Sequence, residues 1–187
     1  MRRKKKKVLT IVFVALAFLF VSIFGLYCYF KALYPMKHSE LIAQYAAEYE
    51  IDPYLAAAVI WKESRFREDA VSSAGAMGLM QVMPETGQWI SQKMGREDYA
   101  EERLFEPEYN IRLGCWYLSY LDEKFGGDPV KILAGYNAGP NRVIGWLENP
   151  EYSSDGKSLE KIPFAETDNY VKKVQQSYEI YRILYKF

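Results

Sequence analysis

The chain has 187 residues and a formal net charge of zero, but seven basic residues precede residue 32, and 17 basic and 24 acidic residues follow it. The main part of the chain is therefore acidic, which argues against nucleic acid as a partner, because nucleic-acid binding needs a basic face. One histidine, His38, and two cysteines, Cys28 and Cys115, exclude a disulfide framework, a histidine-based metal centre and a Ser-His site.

Residues 8–30 form an uncharged apolar run that is long enough to span a bilayer as a helix. The basic cluster at residues 1–7 predicts a cytoplasmic N-terminus, with everything after the run outside. A cleaved signal peptide is the alternative, but it usually has a shorter apolar core followed by a small-x-small site. Here the only such pair, Ala15 and Ala17, lies within the run. We therefore expect an uncleaved single-pass anchor, followed by a short tether at residues 31–38.

Residues 39–187 are enough for one domain, and their apolar spacing predicts a mainly α-helical one. Ser39, Pro53, Pro84, Pro107 and Pro129 mark predicted helix starts. Gly75 and Gly78 interrupt residues 68–83, which are expected to form a loop or a short hairpin. The sequence predicts helices over residues 39–50, 53–65, 84–94, 107–125, 129–136, 140–147 and 167–185.

Glu63 lies where an apolar side chain is expected. Leu55, Val59 and Glu63 share one helix face, so the carboxyl lies at the end of an apolar stripe. Burial there raises the pKa of a carboxyl, and so does the negative end of a helix dipole. A carboxylic acid that stays protonated near neutral pH is suited to general acid catalysis. The alternative is a glutamate that pairs with Arg65 or Arg67, or that reaches solvent.

Three further stretches extend this observation: WKESRF at residues 61–66, GAMGLMQVMP at residues 75–84 and LAGYNAGPNRV at residues 133–143. In this order they resemble the soluble lytic transglycosylase catalytic domain, a lysozyme-like family that cleaves the glycan strands of peptidoglycan. The segment PFAETDNYVKKV at residues 163–174, which contains Tyr170, also resembles a stretch of this family. The resemblance covers essentially the whole domain, and the ordered set is far more specific than any single motif.

The resemblance implies a mainly α, lysozyme-like fold of the goose-type lysozyme and lytic transglycosylase class. It implies that Glu63 is the catalytic acid and that no metal or cofactor takes part. The implied substrate-binding residues are Ser64, Gly78, Met80, Gln81, Tyr136, Asn137 and Tyr170. Two positions depart from the usual pattern: Gly135 replaces an alanine, and Asp168 stands where many members have arginine.

Several of these residues also have a purely structural interpretation. Ser64 is a serine near a helix end, Gln81 could brace its loop, and Met80 and Tyr170 could belong to the core. Asn137 could fix the groove wall or a helix end. The four tryptophans, Trp61, Trp89, Trp116 and Trp146, are assigned to the core by default. Asp52, Glu68 and Asp69 are close to Glu63 in sequence, but a cap and a solvated turn explain them better than a second catalytic role.

The family chemistry implied by the resemblance uses one acid. Glu63 protonates the bond between N-acetylmuramic acid and N-acetylglucosamine, then accepts a proton from the 6-hydroxyl as a 1,6-anhydro ring closes. A hydrolytic muramidase on the same fold is one alternative. A tethered glycan-binding module without activity is another, and a helical membrane-assembly protein is a third, although the anchor has Gly25 without a Gly-x-x-x-Gly pattern. The expected partners are peptidoglycan strands and, through the anchor, the membrane.

Overall fold

The computed structural model describes residues 2–187, with only the backbone described for residues 2–5 and 8. Met1, the first residue of the predicted cytoplasmic tail, lies outside the described residues. The chain separates into two units, one that ends at Pro35 and one that comprises Met36–Phe187.

The first unit is a single helix, α1 (Arg2–Leu33). Its segment Leu9–Leu33 is long and apolar enough to cross a membrane, by length and composition. The large apolar side chains of this segment, among them Phe13, Phe18 and Phe20, are exposed. The helix begins before the predicted span because lysine and arginine are themselves good helix formers.

The second unit is mainly α-helical, as predicted. Its elements are α2 (Ser39–Glu48), α3 (Pro53–Ser64), α4 (Pro84–Lys93), a 3₁₀ helix (Glu101–Phe105), α5 (Pro107–Phe125), α6 (Pro129–Ala138), α7 (Pro140–Leu147) and α8 (Ala165–Leu184). The predicted helices are all present, with ends displaced by up to two residues. The 3₁₀ helix was not predicted, because its sequence EERLF is too short to show a period.

Caps and prolines explain where these helices begin. Asp52 accepts a hydrogen bond from the Tyr54 backbone N–H at 2.8 Å, and Asp128 accepts from the N–H groups of Val130 and Lys131. Proline occupies the first turn of α3 and α6, where no N–H partner is needed. At α2 the cap position is His38 and not Ser39, and no side chain caps the helix.

The central element of the domain is α3, which packs on α2 and α8. Ala56, Ala57, Ala58, Val59 and Ile60 are all fully buried. A helix that is apolar on every side has to be surrounded by other elements, and its small alanines allow those elements to approach closely. The last turn of α3, which carries Glu63, is thereby held inside the domain.

Residues 70–83 form a tight loop with two single antiparallel bridges, Val71 with Met77 and Met77 with Val82. Met77 and Val82 exchange both backbone hydrogen bonds at 3.0 Å. The sequence left a loop and a short hairpin as alternatives, and the structure combines them. We call residues 70–83 the active-site loop.

Gly135 and Gly114 explain how closely the helices pack. A methyl group at Gly135 would lie 2.8 Å from Phe125 Cε2, so the departure from alanine makes room for the Phe125 ring. A methyl group at Gly114 of α5 would lie 2.2 Å from Met80 Sδ. Met80 belongs to the active-site loop and is fully buried, so Gly114 sets the distance between α5 and this loop.

Replacement of Gly114 by alanine should therefore destabilise the domain by about 1–3 kcal/mol, because overpacking forces Met80 out of its place. Gly145→Ala is the matched control, since it is also a helical glycine but has no atom within 4 Å of an added methyl. The control should be neutral or gain up to about 1 kcal/mol from helix propensity. Urea unfolding of the full chain in detergent micelles measures both. Equal stabilisation by the two substitutions would contradict the proposed packing.

Candidate active site

The Glu63 carboxyl lies in the last turn of α3, directly before the helix ends at Arg65. Burial raises its pKa from 4.5 to about 7, and nearby Tyr170 and Lys62 reduce this shift. The helix end adds to the effect of burial, since its partial negative charge also disfavours a carboxylate. Glu63 therefore has both the position and the direction of pKa shift that the sequence predicted.

The two arginines that could have neutralised Glu63 have other partners. The Arg65 guanidinium lies over the Trp61 ring at 3.3 Å, and Arg67 Nε donates to the Ser64 carbonyl at 3.1 Å. Among the described residues, no basic group lies within 4 Å of the Glu63 carboxyl as an ion pair. The ion-paired interpretation of Glu63 is thus excluded for the structure as described.

The backbone reverses sharply after Glu63. Arg65 and Phe66 both have a positive φ, 56° and 59°, which is costly for residues with a side chain. Phe66 offsets this cost because its ring is buried and contacts Tyr181 of α8, with 6.3 Å between centroids. The tight reversal ends α3 immediately beyond the carboxyl and directs the chain into the active-site loop.

Two tyrosines flank the carboxyl. Burial and the nearby Glu63 charge hold the pKa of Tyr136 and of Tyr170 well above the usual value, so both hydroxyls stay protonated. Tyr136 donates to the Met80 carbonyl at 2.9 Å. Tyr170 lies close enough to Glu63 to lower the pKa of the Glu63 carboxyl. Among the described residues, however, no atom lies at the distance and angle of a full hydrogen bond with the buried Tyr170 hydroxyl. The Tyr170 hydroxyl therefore still has its hydrogen to donate.

Lys62 is a cation that lies beside this group of residues. Its Nζ lies 5.0 Å from the centroid of the Tyr170 ring, a cation–π arrangement. Lys62 also lowers the pKa of Glu63, although less than burial raises it. The charged or ionisable side chains placed against Glu63 are thus Lys62, Tyr136 and Tyr170.

Three residues that the resemblance assigned to substrate binding are buried beneath the site. Ser64 is 1 % exposed and donates to the Leu79 carbonyl at 2.8 Å. Met80 is fully buried against Gly114. Gly78 has a φ of 76°, and a methyl group there would overlap the Leu104 carbonyl oxygen and the Asn110 side chain. In this structure these residues shape the active-site loop from within and do not line a surface that a substrate could reach.

Gln81 and Asn137 lie at the surface of the site and are both fixed by hydrogen bonds. Gln81 donates its amide nitrogen to the carbonyls of Ala70 and Gly78, each at 3.0 Å. Asn137, at the end of α6, accepts from the Thr167 hydroxyl of α8 at 2.8 Å. Both residues line a cleft beside Tyr136, which we call the inner cleft. Thr86, Tyr117 and Gly139 are among the other residues of its wall.

Two of the three acids close to Glu63 in sequence, Asp52 and Glu68, are engaged elsewhere. Asp52 caps the far end of the 12-residue helix α3, about 16 Å along its axis, and accepts from Tyr178 at 2.7 Å. Glu68 is exposed and lies 3.0 Å from His38 Nε2. Asp168, the second departure from the family pattern, accepts from Lys172 at 2.6 Å on α8. None of these contacts brings a second carboxyl to Glu63.

Asn110 organises the site and was missed by the sequence analysis. It is fully buried on α5, accepts from the Met80 N–H at 2.7 Å, and donates to the carbonyls of Met77 and Leu104 at 3.0 and 2.7 Å. These bonds satisfy buried backbone groups of the active-site loop and of the 3₁₀ helix that water cannot reach. The available signal was a polar residue on the face of α5 that also carries Leu113 and Gly114.

Comparisons with known proteins are consistent with this geometry. The transglycosylase SLT domain model matches residues 40–158. Over 143 residues the chain is 38% identical to the soluble lytic murein transglycosylase of Salmonella typhimurium. The matched region covers 75% of this chain and 22% of that protein. The chain is 32% identical over 166 residues to the membrane-bound lytic murein transglycosylase C of Actinobacillus pleuropneumoniae, covering 78% of this chain and 46% of that protein.

Solved structures give the same result for the fold. The crystal structure of the 70-kDa soluble lytic transglycosylase of Escherichia coli superposes with a TM-score of 0.76 at 34% identity, over 85% of this chain and 26% of that one. A lytic transglycosylase from Pseudomonas aeruginosa, solved as an inactive glutamate-to-glutamine variant, gives 0.72 at 36% identity, over 81% and 25%. The predicted fold is confirmed, and the chain spans about a quarter of the length of these relatives.

Glu63→Gln should stabilise the domain in a pH-dependent way. The folded pKa of about 7 exceeds the unfolded value of 4.5, so the stability associated with the bound proton is fully present below about pH 4.5 and is lost as pH rises to about 7. The unfolding free energy of the variant relative to the native chain should therefore rise by about 3 kcal/mol between about pH 4.5 and pH 8. Urea unfolding at both pH values measures it; a pH-independent difference would mean that Glu63 is not desolvated.

Asn110→Ala should destabilise the domain by about 3 kcal/mol or more, because it leaves a backbone N–H and two carbonyls buried without partners. Asn169→Ala is the control, since Asn169 is exposed on α8 and should change stability by less than about 0.5 kcal/mol. Amide hydrogen exchange at Met80 should accelerate in the Asn110 variant. Unchanged exchange there would show that another group holds the active-site loop.

Proposed function

This chain belongs to the transglycosylase SLT domain family, and from that premise we propose that it is a lytic transglycosylase that cleaves the glycan strands of peptidoglycan. The observation that carries the proposal is the Glu63 carboxyl, which is half-buried at the end of α3 and whose pKa is raised by desolvation to about 7. No described basic side chain forms an ion pair with it. Such a group is an effective acid and, once deprotonated, an effective base near neutral pH.

In the proposed reaction Glu63 protonates the oxygen of the bond between N-acetylmuramic acid and N-acetylglucosamine. As this bond breaks, positive charge develops at the anomeric carbon of the muramic sugar, and the N-acetyl group of that sugar stabilises it. The Glu63 carboxylate then takes the proton from the 6-hydroxyl of the same sugar, whose oxygen bonds to the anomeric carbon. The products carry 1,6-anhydro-muramic ends, no water is consumed, and Glu63 regains its proton.

The neighbouring tyrosines fit this cycle. Tyr170 has a hydroxyl that still has a hydrogen to donate, and it lies beside Glu63. It is placed to stabilise the carboxylate that forms after the first proton transfer. Tyr136 is held by the Met80 carbonyl and lines the inner cleft, so we assign it to the wall against which the reacting sugar rests. Gln81 and Asn137 are assigned to the same wall.

The side chains around Glu63 favour the transglycosylase over a hydrolytic muramidase. Most glycosidases that use water pair the acid with a second carboxylate, which activates the water or attacks the sugar. Here the ionisable neighbours of Glu63 are Lys62 and two tyrosines, none of which is a carboxylate. A nucleophile from within the substrate removes the need for such a partner.

We also propose that α1 anchors the enzyme in the cell membrane as a single span, with the N-terminus cytoplasmic and the catalytic domain facing the cell wall. Support comes from the length and composition of Leu9–Leu33, from the basic residues that precede it, and from the similarity to membrane-bound transglycosylases. Anchoring would restrict cleavage to peptidoglycan near the membrane.

The products distinguish the candidate functions. The full chain in detergent micelles should release fragments with 1,6-anhydro-muramic ends from purified peptidoglycan, as measured by mass spectrometry, and Glu63→Gln should reduce release by at least about 10³-fold because the acid is lost. Asp52→Asn, which alters a carboxyl at the other end of α3, is the control and should keep the product type. Glu63-dependent products that are one water heavier would indicate a muramidase, and no release by a folded protein would contradict the enzymatic assignment.

A further inference from the structure

The ammonium group of Lys62 has no acidic partner, although its side chain is half-buried beside Glu63. Among the described residues, no carboxylate lies within 4 Å of its Nζ as an ion pair. The other half-buried lysines and arginines of the second unit each pair with an aspartate or glutamate: Arg96, Arg103, Arg112 and Lys131. A partly desolvated ammonium without a counter-ion is unfavourable, since lysine is seldom buried unless it is paired. Lys62 is therefore a cation that is available to an anion from outside the chain.

Tyr170 of α8 brings the Lys62 and Glu63 side chains to one place. Consecutive residues of a helix do not face each other, so these two side chains leave α3 in different directions. Both nevertheless reach Tyr170: Lys62 Nζ lies 5.0 Å from the centroid of its ring, and its hydroxyl lies beside the Glu63 carboxyl. A ligand that reacts at Glu63 can therefore reach Lys62 with a second group.

The proposed substrate carries an anion close to the bond that breaks. The muramic sugar bears a lactyl group on its ring, which ends in a carboxylate or, where a peptide is attached, in a peptide that has carboxylates of its own. This sugar is the one whose anomeric bond breaks at Glu63, so its side group enters the site with it. A compact ammonium on a flexible stem, as in Lys62, suits a carboxylate on such a mobile group.

We propose that Lys62 determines specificity by binding a carboxylate on the side group of the muramic sugar at the cleavage site. This carboxylate belongs either to the lactyl group of a peptide-free unit or to the attached peptide. The inference rests on the proposed function for the identity of the sugar. Its own evidence is the unpaired, half-buried ammonium of Lys62 and its contact with Tyr170 next to Glu63.

A purely structural role for Lys62 makes a different prediction. Its methylene stem can cover the Tyr170 ring without any use of the charge. Methionine keeps an unbranched apolar stem but lacks the ammonium, so Lys62→Met separates the two roles. Loss of the charge also raises the pKa of Glu63, because Lys62 lowers it. That effect is common to all substrates, so it cancels when two substrates are compared on one variant.

The test compares glycan strands that differ only in this charge. Full-length protein in micelles is assayed on peptide-free strands, either with free lactyl carboxylates or with these converted to methylamides, and on peptide-bearing strands treated in the same two ways. The native chain should favour the carboxylate form about tenfold in kcat/KM, through KM, because the amide lacks one charge-assisted contact. A preference on peptide-free strands identifies the lactyl carboxylate as the ligand, and a preference confined to peptide-bearing strands identifies the peptide.

Lys62→Met should reduce this preference to within about twofold, and Lys62→Arg should retain it because arginine keeps the charge. Lys62→Gln replaces the first variant if thermal unfolding shows that Lys62→Met does not fold. An equal loss on both charge forms, or a native chain without any preference, would overturn the inference.

Lys186→Met is the matched control for removal of a lysine charge. Lys186 is exposed and follows Tyr185, whose carbonyl accepts from the Tyr54 hydroxyl at 3.2 Å. Tyr54 belongs to the first turn of α3, at the opposite end from Glu63. The control should therefore keep the preference of the native chain.

Binding separates this inference from the proposed function. In a Glu63→Gln background, calorimetric titration should show about tenfold tighter binding of carboxylate strands than of methylamide strands, and Lys62→Met should abolish the difference. If the native chain releases no product but the Lys62-dependent difference persists, the proposed reaction is wrong and the anion contact stands. If release depends on Glu63 but no difference between the strands depends on Lys62, the reaction stands and the anion contact is wrong.

Discussion

The Glu63 side chain is half-buried, and it stands in the last turn of a helix in which the five residues 56–60 are fully buried. Because α3 packs on α2 and α8, its last turn holds this carboxyl at the edge of the core, where only part of it contacts water. Burial favours the protonated acid, whereas Tyr170 and Lys62 favour the carboxylate. The balance leaves the pKa near neutrality, where one group can give a proton and later accept one. As a consequence, the charged form of Glu63 lowers the stability of the folded domain.

The active-site loop completes the site around Glu63, and hydrogen bonds from buried residues hold this loop in place. Ser64, one residue after Glu63, binds the Leu79 carbonyl, while Asn110 binds the Met80 N–H and Tyr136 binds the Met80 carbonyl. The loop therefore has fixed positions relative to both α3 and α5. The motif associates Met80 and Gly78 with substrate, but in the structure these residues pack inside the loop, against α5 and the 3₁₀ helix. The exposed wall of the inner cleft is formed by their neighbours, such as Gln81 and Tyr136.

Much of the fold and the partly buried placement of Glu63 followed from the sequence, because helical spacing, capping aspartates and helix-initiating prolines are local signals. The position of Glu63 on the apolar face of α3 is such a signal. The roles of Ser64, Gly78 and Met80 were not predictable, since motif membership does not distinguish a residue that touches substrate from one that supports it. Asn110 was missed because two of its three partners, Met80 and Met77, lie in a loop 30 and 33 residues earlier. The default assignment of the tryptophans to the core holds for Trp61 and Trp146 and is wrong for Trp89 and Trp116, which are half-buried. Their exposure depends on how α4 meets α5, which no local pattern specifies.

The central claim is that the Glu63 carboxyl in the free protein titrates near neutral pH, so that both its protonated and its charged form are populated there. The most direct measurement is a pH titration of carboxyl ¹³C shifts in glutamate-labelled full-length chain, with the Glu63 resonance assigned by its loss in Glu63→Gln. The account predicts a midpoint at about pH 7. A midpoint near the ordinary glutamate value of about 4.3 would show that water reaches the carboxyl freely, and would contradict the account of how this site performs acid–base chemistry.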